Sequence, residues 1–220
     1  MNAPGVRAQM HRAGGNPFTE LAVGGNYPDV MLGSIWYPAG VWNAKSFNGL
    51  NYSASAGQEN FLVAVPHFFP RRAGTITKVA AHHASATGRL FGAIYRADAT
   101  TYLPTTRVLS VELVSTGFHT AITSTLATPL ITSPGEILWF ATVINANAAS
   151  GGLLNYGAES LYPVFGTNYD AADSAGPPKT FQMGYREAYA YAALPASFAA
   201  TGKLLSGAFC PALMFQWAAT

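Results

Sequence analysis

The chain has 220 residues, enough for one sandwich-sized or barrel-sized domain, or two small ones, with a hydrophobic core. Half of the residues are apolar, 10% are charged, and 22 glycines and 14 prolines interrupt regular structure, which excludes a coiled coil and disfavours a long helical bundle. The net charge is only +2, and Arg71 and Arg72 form the only adjacent basic pair, so the sequence lacks the basic stripe that binds phosphates. We therefore predict that nucleic acid is not a partner.

The first 34 residues differ from the rest of the chain. They are rich in Gly, Asn and Pro and have neither a helical nor a strand period, yet they carry spaced apolar residues. Disordered segments usually have fewer apolar residues and more charge, so we interpret residues 1–34 as an extended arm that becomes ordered on a partner, with terminal disorder as the alternative. The candidate arm anchors for assembly are Phe18, Leu21, Val30, Met31 and Leu32.

Cysteine and targeting signals indicate where the chain is made. The single cysteine, Cys210, lies in an apolar run, which is typical of a small buried hydrophobic residue rather than a nucleophile. The N-terminus has no apolar core of a secretory signal, and no segment reaches the roughly 20 apolar residues of a membrane span. We expect synthesis in a cytoplasm and no membrane insertion.

Strand-length segments rich in β-branched and aromatic residues dominate the chain from residue 60 onward. The predicted strands are 60–69, 75–83, 89–96, 107–114, 117–126 and 136–144, with later strands in 181–191 and 212–217. Little room separates them, and without crossover helices the sheets must be antiparallel. We predict an all-β fold in which residues 35–220 form an antiparallel, jelly-roll-like β-sandwich behind the extended N-terminal arm.

Three sequence details predict how these strands are placed. Segment 117–126 alternates with a period of two, and the face that we expect to point inward carries Phe118, Thr120, Ile122, Ser124 and Leu126. Segment 136–144 is apolar on both faces, which indicates a central strand. Pro66 in the first strand of the series favours a sheet edge or a bulge.

Catalytic and metal-binding motifs are absent from the sequence. It contains no GxSxG, HExxH, GxxxxGK[ST] or GxGxxG pattern. His82 and His83 are adjacent, and neighbouring strand residues point to opposite faces, so they cannot share one metal in a regular strand. Asp170 and Asp173, near Asn168, depart from calcium-loop spacing and favour a solvated turn. We predict no catalytic residues, no metal and no cofactor.

Aromatic residues in predicted loops and at strand ends are the candidate binding residues. Exposed rings can stack on sugar faces or fill a protein interface, although core packing is the more common role. The candidates for contact with a glycan or a protein partner are Trp36, Trp42, Tyr102, Tyr162 and Tyr169.

The order of motifs from residue 60 to 145 resembles a β-sandwich module found in tail, fibre and head-decoration proteins of tailed bacteriophages. The matching stretches are RLFGAIYRAD at 89–98, a Leu-Pro turn at 103–104, Ser-Thr-Gly at 115–117, and 130–141 with its Pro-Gly turn and Trp139. The segment 193–198 and the last strand, which ends near Trp217, also resemble the end of such modules. The first 59 residues and the additional residues in 89–95 depart from the family pattern. These motifs are structural and not catalytic.

The resemblance implies a virion structural protein: a fibre, spike, tail-tip or capsid-decoration subunit. Its expected partners are other copies of itself, in a homo-oligomer, and other virion proteins, reached through the arm and the sandwich faces. The alternative is a carbohydrate-binding, receptor-recognition module for host surface polysaccharide. A polysaccharide depolymerase with paired carboxylates is the third hypothesis, and the scarcity of acidic residues, 10 in all, makes it the weakest.

Overall fold

The computed structural model describes residues 35–38, 50–53, 59–69, 73–83, 85–118, 120–151, 153–156, 182–198, 204–205, 210–211 and 213–220. Within these ranges the chain forms strands and one short helix, α1 (Ala146–Gly151). The predicted arm, residues 1–34, lies outside them. So do its five candidate anchors and the turn around Asn168, Asp170 and Asp173.

The described strands form two antiparallel sheets. One sheet has six strands: β3 (Phe61–Phe68), β5 (Arg89–Ala97), β6 (Pro104–Val114), β8 (Ile137–Ile144), β10 (Gln182–Ala188) and β11 (Leu204–Leu205). Their order in the sheet is β11-β10-β3-β8-β5-β6. The other sheet has seven strands: β1 (Ile35–Pro38), β2 (Leu50–Ser53), β4 (Gly74–His83), β7 (Thr120–Thr132), β9 (Leu153–Tyr156), β12 (Cys210–Pro211) and β13 (Met214–Ala219). In this sheet β4 pairs with both β13 and β7.

The predicted all-β antiparallel sandwich is confirmed, and several strand placements follow the sequence. Strand β8 pairs with β3 on one side and β5 on the other, as its apolar faces predicted. Pro66 lies on the part of β3 that pairs with β8 but not with β10, whose described pairing with β3 ends at Ala64, so it occupies a local edge.

The main core lies between the two sheets. The six-stranded sheet contributes Val65 and Phe140, and the seven-stranded sheet contributes Ile76 and Phe215, all within one buried apolar cluster. The rings of Phe140 and Phe215 stack across the sandwich with centroids 4.9 Å apart. The alternation of apolar residues along each strand is what places these side chains on the facing surfaces.

A buried polar contact joins three strands at one end of this core. The indole nitrogen of Trp217 in β13 donates to Oγ1 of Thr132 in β7 at 2.9 Å, and that hydroxyl donates to the carbonyl of Gly74 in β4 at 3.2 Å. The indole ring lies where a Cβ on Gly74 would be, so only glycine allows this approach. The contact links β13, β7 and β4 at this end of the core.

The outer face of the six-stranded sheet is covered by the segment after β10, residues 189–198, which we call the strap. At one end, the backbone N–H of Tyr189 donates to the carbonyl of Asn60 beside β3, at 2.8 Å. At the other end, the carbonyl of Ala196 accepts a bond from the backbone N–H of Arg107 in β6, at 2.9 Å. The strap therefore crosses from β3 to the far edge of the sheet, and both faces of this sheet are packed.

Aromatic side chains fill the space beneath the strap. Trp139 and Tyr95 are completely buried there together with Leu194 and Phe198 of the strap. The hydroxyl of Tyr95 donates to the carbonyl of Pro195 at 2.7 Å. This second apolar cluster explains why β8 and β5 carry large residues on both faces.

One inward placement predicted for segment 117–126 is wrong. Leu126 is buried and Ile122 is half-buried, as expected, but the Phe118 side chain is 74% exposed. Phe118 lies in the turn before β7, which begins only at Thr120, so the strand alternation does not extend to it.

Candidate interaction surfaces

The turn between β5 and β6 presents one of the predicted binding aromatics. The carboxylate of Asp98 accepts bonds from the backbone N–H groups of Thr101 at 2.7 Å and Thr100 at 2.9 Å, and these bonds lower the pKa of the Asp98 carboxyl. The next residue, Tyr102, has a φ of 59°. Its carbonyl accepts a bond from the indole nitrogen of buried Trp139 at 2.8 Å. The backbone of Tyr102 is thus anchored while its ring is 55% exposed.

The structure describes two of the five predicted aromatic residues, Trp36 and Tyr102, and they belong to different sheets. Trp36 lies in β1 of the seven-stranded sheet, where its backbone pairs with Gln216 of β13, whereas Tyr102 belongs to a turn of the other sheet. Trp42, Tyr162 and Tyr169 lie outside the described residues. Tyr102 is therefore the one predicted aromatic whose side chain the described structure places in solvent.

Two long strands, β6 and β7, lie at edges of the described sheets, and the sequence did not predict either position. The edge of β6 is protected. The strap carbonyl of Ala196 binds the backbone of Arg107, and the guanidinium of Arg107 donates to the carbonyl of Leu194. Glu112 of β6 accepts a bond from the hydroxyl of Tyr191 at 2.9 Å. Charged side chains and covering chain segments are common means of blocking strand addition at an edge.

Among the described residues, none protects the first half of the β7 edge in this way. In the described part of the chain β7 pairs only with β4, and its 13 residues, TAITSTLATPLIT, include no charged residue. Ala121, Thr123 and Thr125 are exposed and alternate with half-buried residues. In the second half, residues 126–129 of β7 lie opposite the single residue Thr77 of β4. These four residues form a bulge that ends in Pro129.

Apolar side chains lie at both ends of β7. Phe118, just before the strand, is 74% exposed, and Ile131, near its end, is 67% exposed. Isolated exposed apolar residues are ordinary, but two of them flanking an uncharged edge strand enlarge the apolar area at this side of the sandwich.

Three carboxylates of the described residues serve structural contacts. Glu136 forms an ion pair with Arg96, and its second oxygen accepts a bond from the backbone N–H of Ser133 at 2.8 Å. Glu112 lies 3.3 Å from the guanidinium of Arg89. With Asp98 in its turn, these groups stabilise loops and sheet edges.

Two histidines are buried in the neutral state. His67 lies among the rings of Phe69, Phe140 and Phe215, and burial lowers its pKa to about 3. Burial, with a smaller contribution from His82, lowers the pKa of His83 to about 4. No three His, Cys, Asp or Glu side chains among the described residues are grouped so that they could hold a metal ion.

The sequence matches no protein-family model and no curated protein. In the ranges that the structure describes, no helix is both long and apolar enough to cross a membrane. The two exposed features of the described residues are the anchored aromatic turn at Tyr102 and the uncharged edge of β7.

Proposed function

We propose that this chain is a non-catalytic structural subunit of a tailed-bacteriophage virion, in a fibre, spike, tail tip or capsid decoration. It assembles with copies of itself and with other virion proteins, and the N-terminal arm docks on a neighbouring subunit. The protein is made in the host cytoplasm and is found in the particle.

The observation that carries this proposal is the order of segments from 89 to 141, which resembles the phage sandwich modules. These segments fold into the consecutive strands β5, β6, β7 and β8. Their characteristic residues make structural contacts: Arg89 pairs with Glu112, Gly135 adopts a φ of 79° in the turn before β8, and Trp139 is completely buried. The resemblance therefore concerns the residues that build the sandwich.

The character of the exposed strands supports the same function. Only 10% of the chain is charged, and β7 has no charge at all. A surface of this kind loses little hydration energy when it is covered by a neighbour, because few ionised groups must be desolvated. Subunits of a virion are in contact with neighbouring subunits throughout the assembled particle.

The test is to raise antibodies against the purified chain and to probe phage particles purified from the host that carries the gene. We expect regular labelling of particles in electron micrographs and several copies of the chain per particle. A host cytoplasmic protein of similar mass serves as the control for carry-over. A chain that stays in the free-protein fraction and never accompanies particles would contradict the proposal.

A shortened chain that begins at Ser34 tests the role of the arm. We expect the shortened chain to keep its β-sheet circular dichroism but to lose incorporation into particles, because the predicted arm anchors are gone. Incorporation at the level of the full chain would show that the arm is not needed for docking.

The second candidate function is recognition of host surface polysaccharide, and Tyr102 favours it. Its ring is exposed while its backbone is held by Trp139, which is the arrangement that presents an aromatic face at low entropic cost. Substitution Tyr102→Ala is expected to weaken binding of the protein to host cells by about fivefold, which corresponds to roughly 1 kcal/mol for one stacked ring. Phe118→Ala, at the opposite end of β6, is the matched control. Equal binding of both variants and the native chain would remove this candidate.

A further inference from the structure

The first half of β7 differs from the other long edge strand. On β6 the backbone of Arg107 is bonded to the strap, and Glu112 is engaged by Tyr191. On β7, residues 120–125 pair regularly with β4 on one side, and the described chain places no strand on the other. An exposed strand edge presents a row of backbone donors and acceptors that a further strand can satisfy.

We propose that residues 121–125 of β7 pair antiparallel with the same residues of a second copy of this chain, so that the two seven-stranded sheets form one continuous sheet. This inference rests on the proposed function, because it names the contact through which the subunits associate. The strand that pairs with this edge is taken to be a second copy of the chain because β7 carries no charged residue. Self-pairing about a two-fold axis sets a strand against itself, and any charge near the axis would meet a like charge.

The sequence of β7 satisfies that condition over its whole length. It has no Asp, Glu, Lys or Arg, and its exposed residues in this half are small: Ala121, Thr123 and Thr125. Facing threonines are favourable cross-strand pairs. The bulge at residues 126–129 and Pro129 end the regular edge, so the paired region is limited to the first half of the strand.

The exposure pattern indicates the register. Thr123 is the central one of the three exposed residues Ala121, Thr123 and Thr125, so an axis through it sets Thr123 opposite its own copy and Ala121 opposite Thr125 of the other chain. In this register exposed residues face exposed residues, and half-buried Ile122 faces half-buried Ser124. A shift by one residue would set exposed residues against half-buried ones, which the two-residue period of strands disfavours.

The first experiment compares two lysine substitutions in the full chain by light scattering over a range of concentrations. Native protein is expected to form dimers or larger even-numbered assemblies of the 23.2 kDa chain. Thr123→Lys sets lysine against lysine at the axis and is expected to weaken association at least tenfold. Ser110→Lys, exposed on the protected β6 edge, is the matched control and leaves the association unchanged. Unfolding midpoints verify that both variants are folded.

The second experiment maps the register by cysteine cross-linking in a Cys210→Ser background. Opposed residues of an antiparallel pair have Cα atoms about 4.5–5.5 Å apart, which suits a disulfide. Thr123→Cys is expected to give a covalent dimer under mild oxidation. Thr125→Cys alone is not, because its copies are four residues apart along the strand, roughly 14 Å. Mixing Ala121→Cys chains with Thr125→Cys chains restores the cross-link.

The outcomes separate this inference from the proposed function. A native chain that is monomeric at high concentration, or assemblies that Thr123→Lys leaves intact, would overturn pairing through β7. If that chain is nevertheless incorporated into particles, the virion function stands and a different partner covers the edge. Cross-linking by Thr125→Cys alone but not by Thr123→Cys would likewise reject the stated register.

Discussion

Two buried glycines in the sheets differ in what a larger residue would meet. A Cβ on Gly184 in β10 would overlap the backbone carbonyl oxygen of Ala64 in β3. A Cβ on Gly92 in β5 would lie 2.9 Å from the terminal methyl of Leu213, a flexible side chain that can move. Backbone cannot yield without breaking the pairing of β10 with β3, whereas a leucine can change its side-chain conformation.

We therefore expect Gly184→Ala to destabilise the protein by about 3 kcal/mol, at the upper end of overpacking effects. Gly92→Ala, the matched variant, should cost about 1 kcal/mol or less because Leu213 can adjust. Urea unfolding measures both changes in the free energy of unfolding when the slope of that free energy against urea concentration is the same in the two variants. Equal losses for the two variants would mean that the backbone of β3 moves as easily as a side chain.

The strap adds a second apolar core to the sandwich, on the outer face of the six-stranded sheet. It holds its position by hydrogen bonds between its carbonyl groups and the sheet and by packing of Leu194 and Phe198. Burial raises the pKa of the Tyr95 hydroxyl, so this group stays protonated and donates to the carbonyl of Pro195. The Tyr95 hydroxyl must be protonated for this bond because the carbonyl oxygen of Pro195 can only accept a hydrogen bond.

Removal of that donor is a direct test of the strap. Tyr95→Phe leaves the carbonyl of Pro195 without the bond and is expected to destabilise the protein by about 1–2 kcal/mol. Tyr102→Phe removes a hydroxyl from an exposed ring and should change stability by less than about 0.5 kcal/mol. Thermal or urea unfolding of both variants gives the comparison. A Tyr95→Phe protein as stable as the native chain would show that packing alone holds the strap.

The stability of the whole molecule is expected to depend on acid through its buried histidines. The pKa values of His67 and His83 are lowered from 6.5 to about 3 and about 4 in the folded chain. Below pH 6.5 the unfolded chain therefore binds protons that the folded chain does not. These two groups leave the free energy of unfolding at its full value above pH 6.5. They lower it as the pH falls from 6.5 toward their pKa values in the folded chain.

Each group should lower the free energy of unfolding by about 1.4 kcal/mol for each pH unit below 6.5. Unfolding free energies measured from pH 7 to pH 4.5 test this, and His67→Phe is the informative variant because a phenyl ring suits the surrounding rings. That variant should lose about half of the pH dependence. An unchanged slope would place the acid sensitivity elsewhere in the chain.

Much of the sandwich could be predicted from the sequence because the period of apolar residues reports local geometry directly. The strands between 75 and 144 were predicted within a few residues, except at the ends of β6 and β7. Strand β7 begins later and ends later than expected and passes through Pro129, because a bulge accommodates the proline at an edge. Phe118 was misplaced for a different reason: it lies in the turn before β7, where the strand alternation has not begun.

The candidate surfaces were only partly predictable. Tyr102 is one of five aromatic residues that the sequence places in loops or at strand ends, and its exposure agrees with that placement. The bond that Trp139 makes to its backbone joins residues 37 positions apart and leaves no local signal. An uncharged β7 is visible in the sequence, yet its position at an edge depends on which strands pair with β4. In the sequence the strap has the pattern of an ordinary loop. Its role depends on packing against Tyr95 and Trp139, which are distant in the chain.

The amino-acid sequence by itself determined the strand periods, the scarcity of charge and the antiparallel all-β class, because each depends on neighbouring residues or on composition. Only the tertiary structure decided which strands are edges, which sheet has two packed faces and which aromatic rings stay in solvent. Those properties come from contacts between residues far apart in the chain, where many pairings have similar local energies and the packing of the whole core selects one.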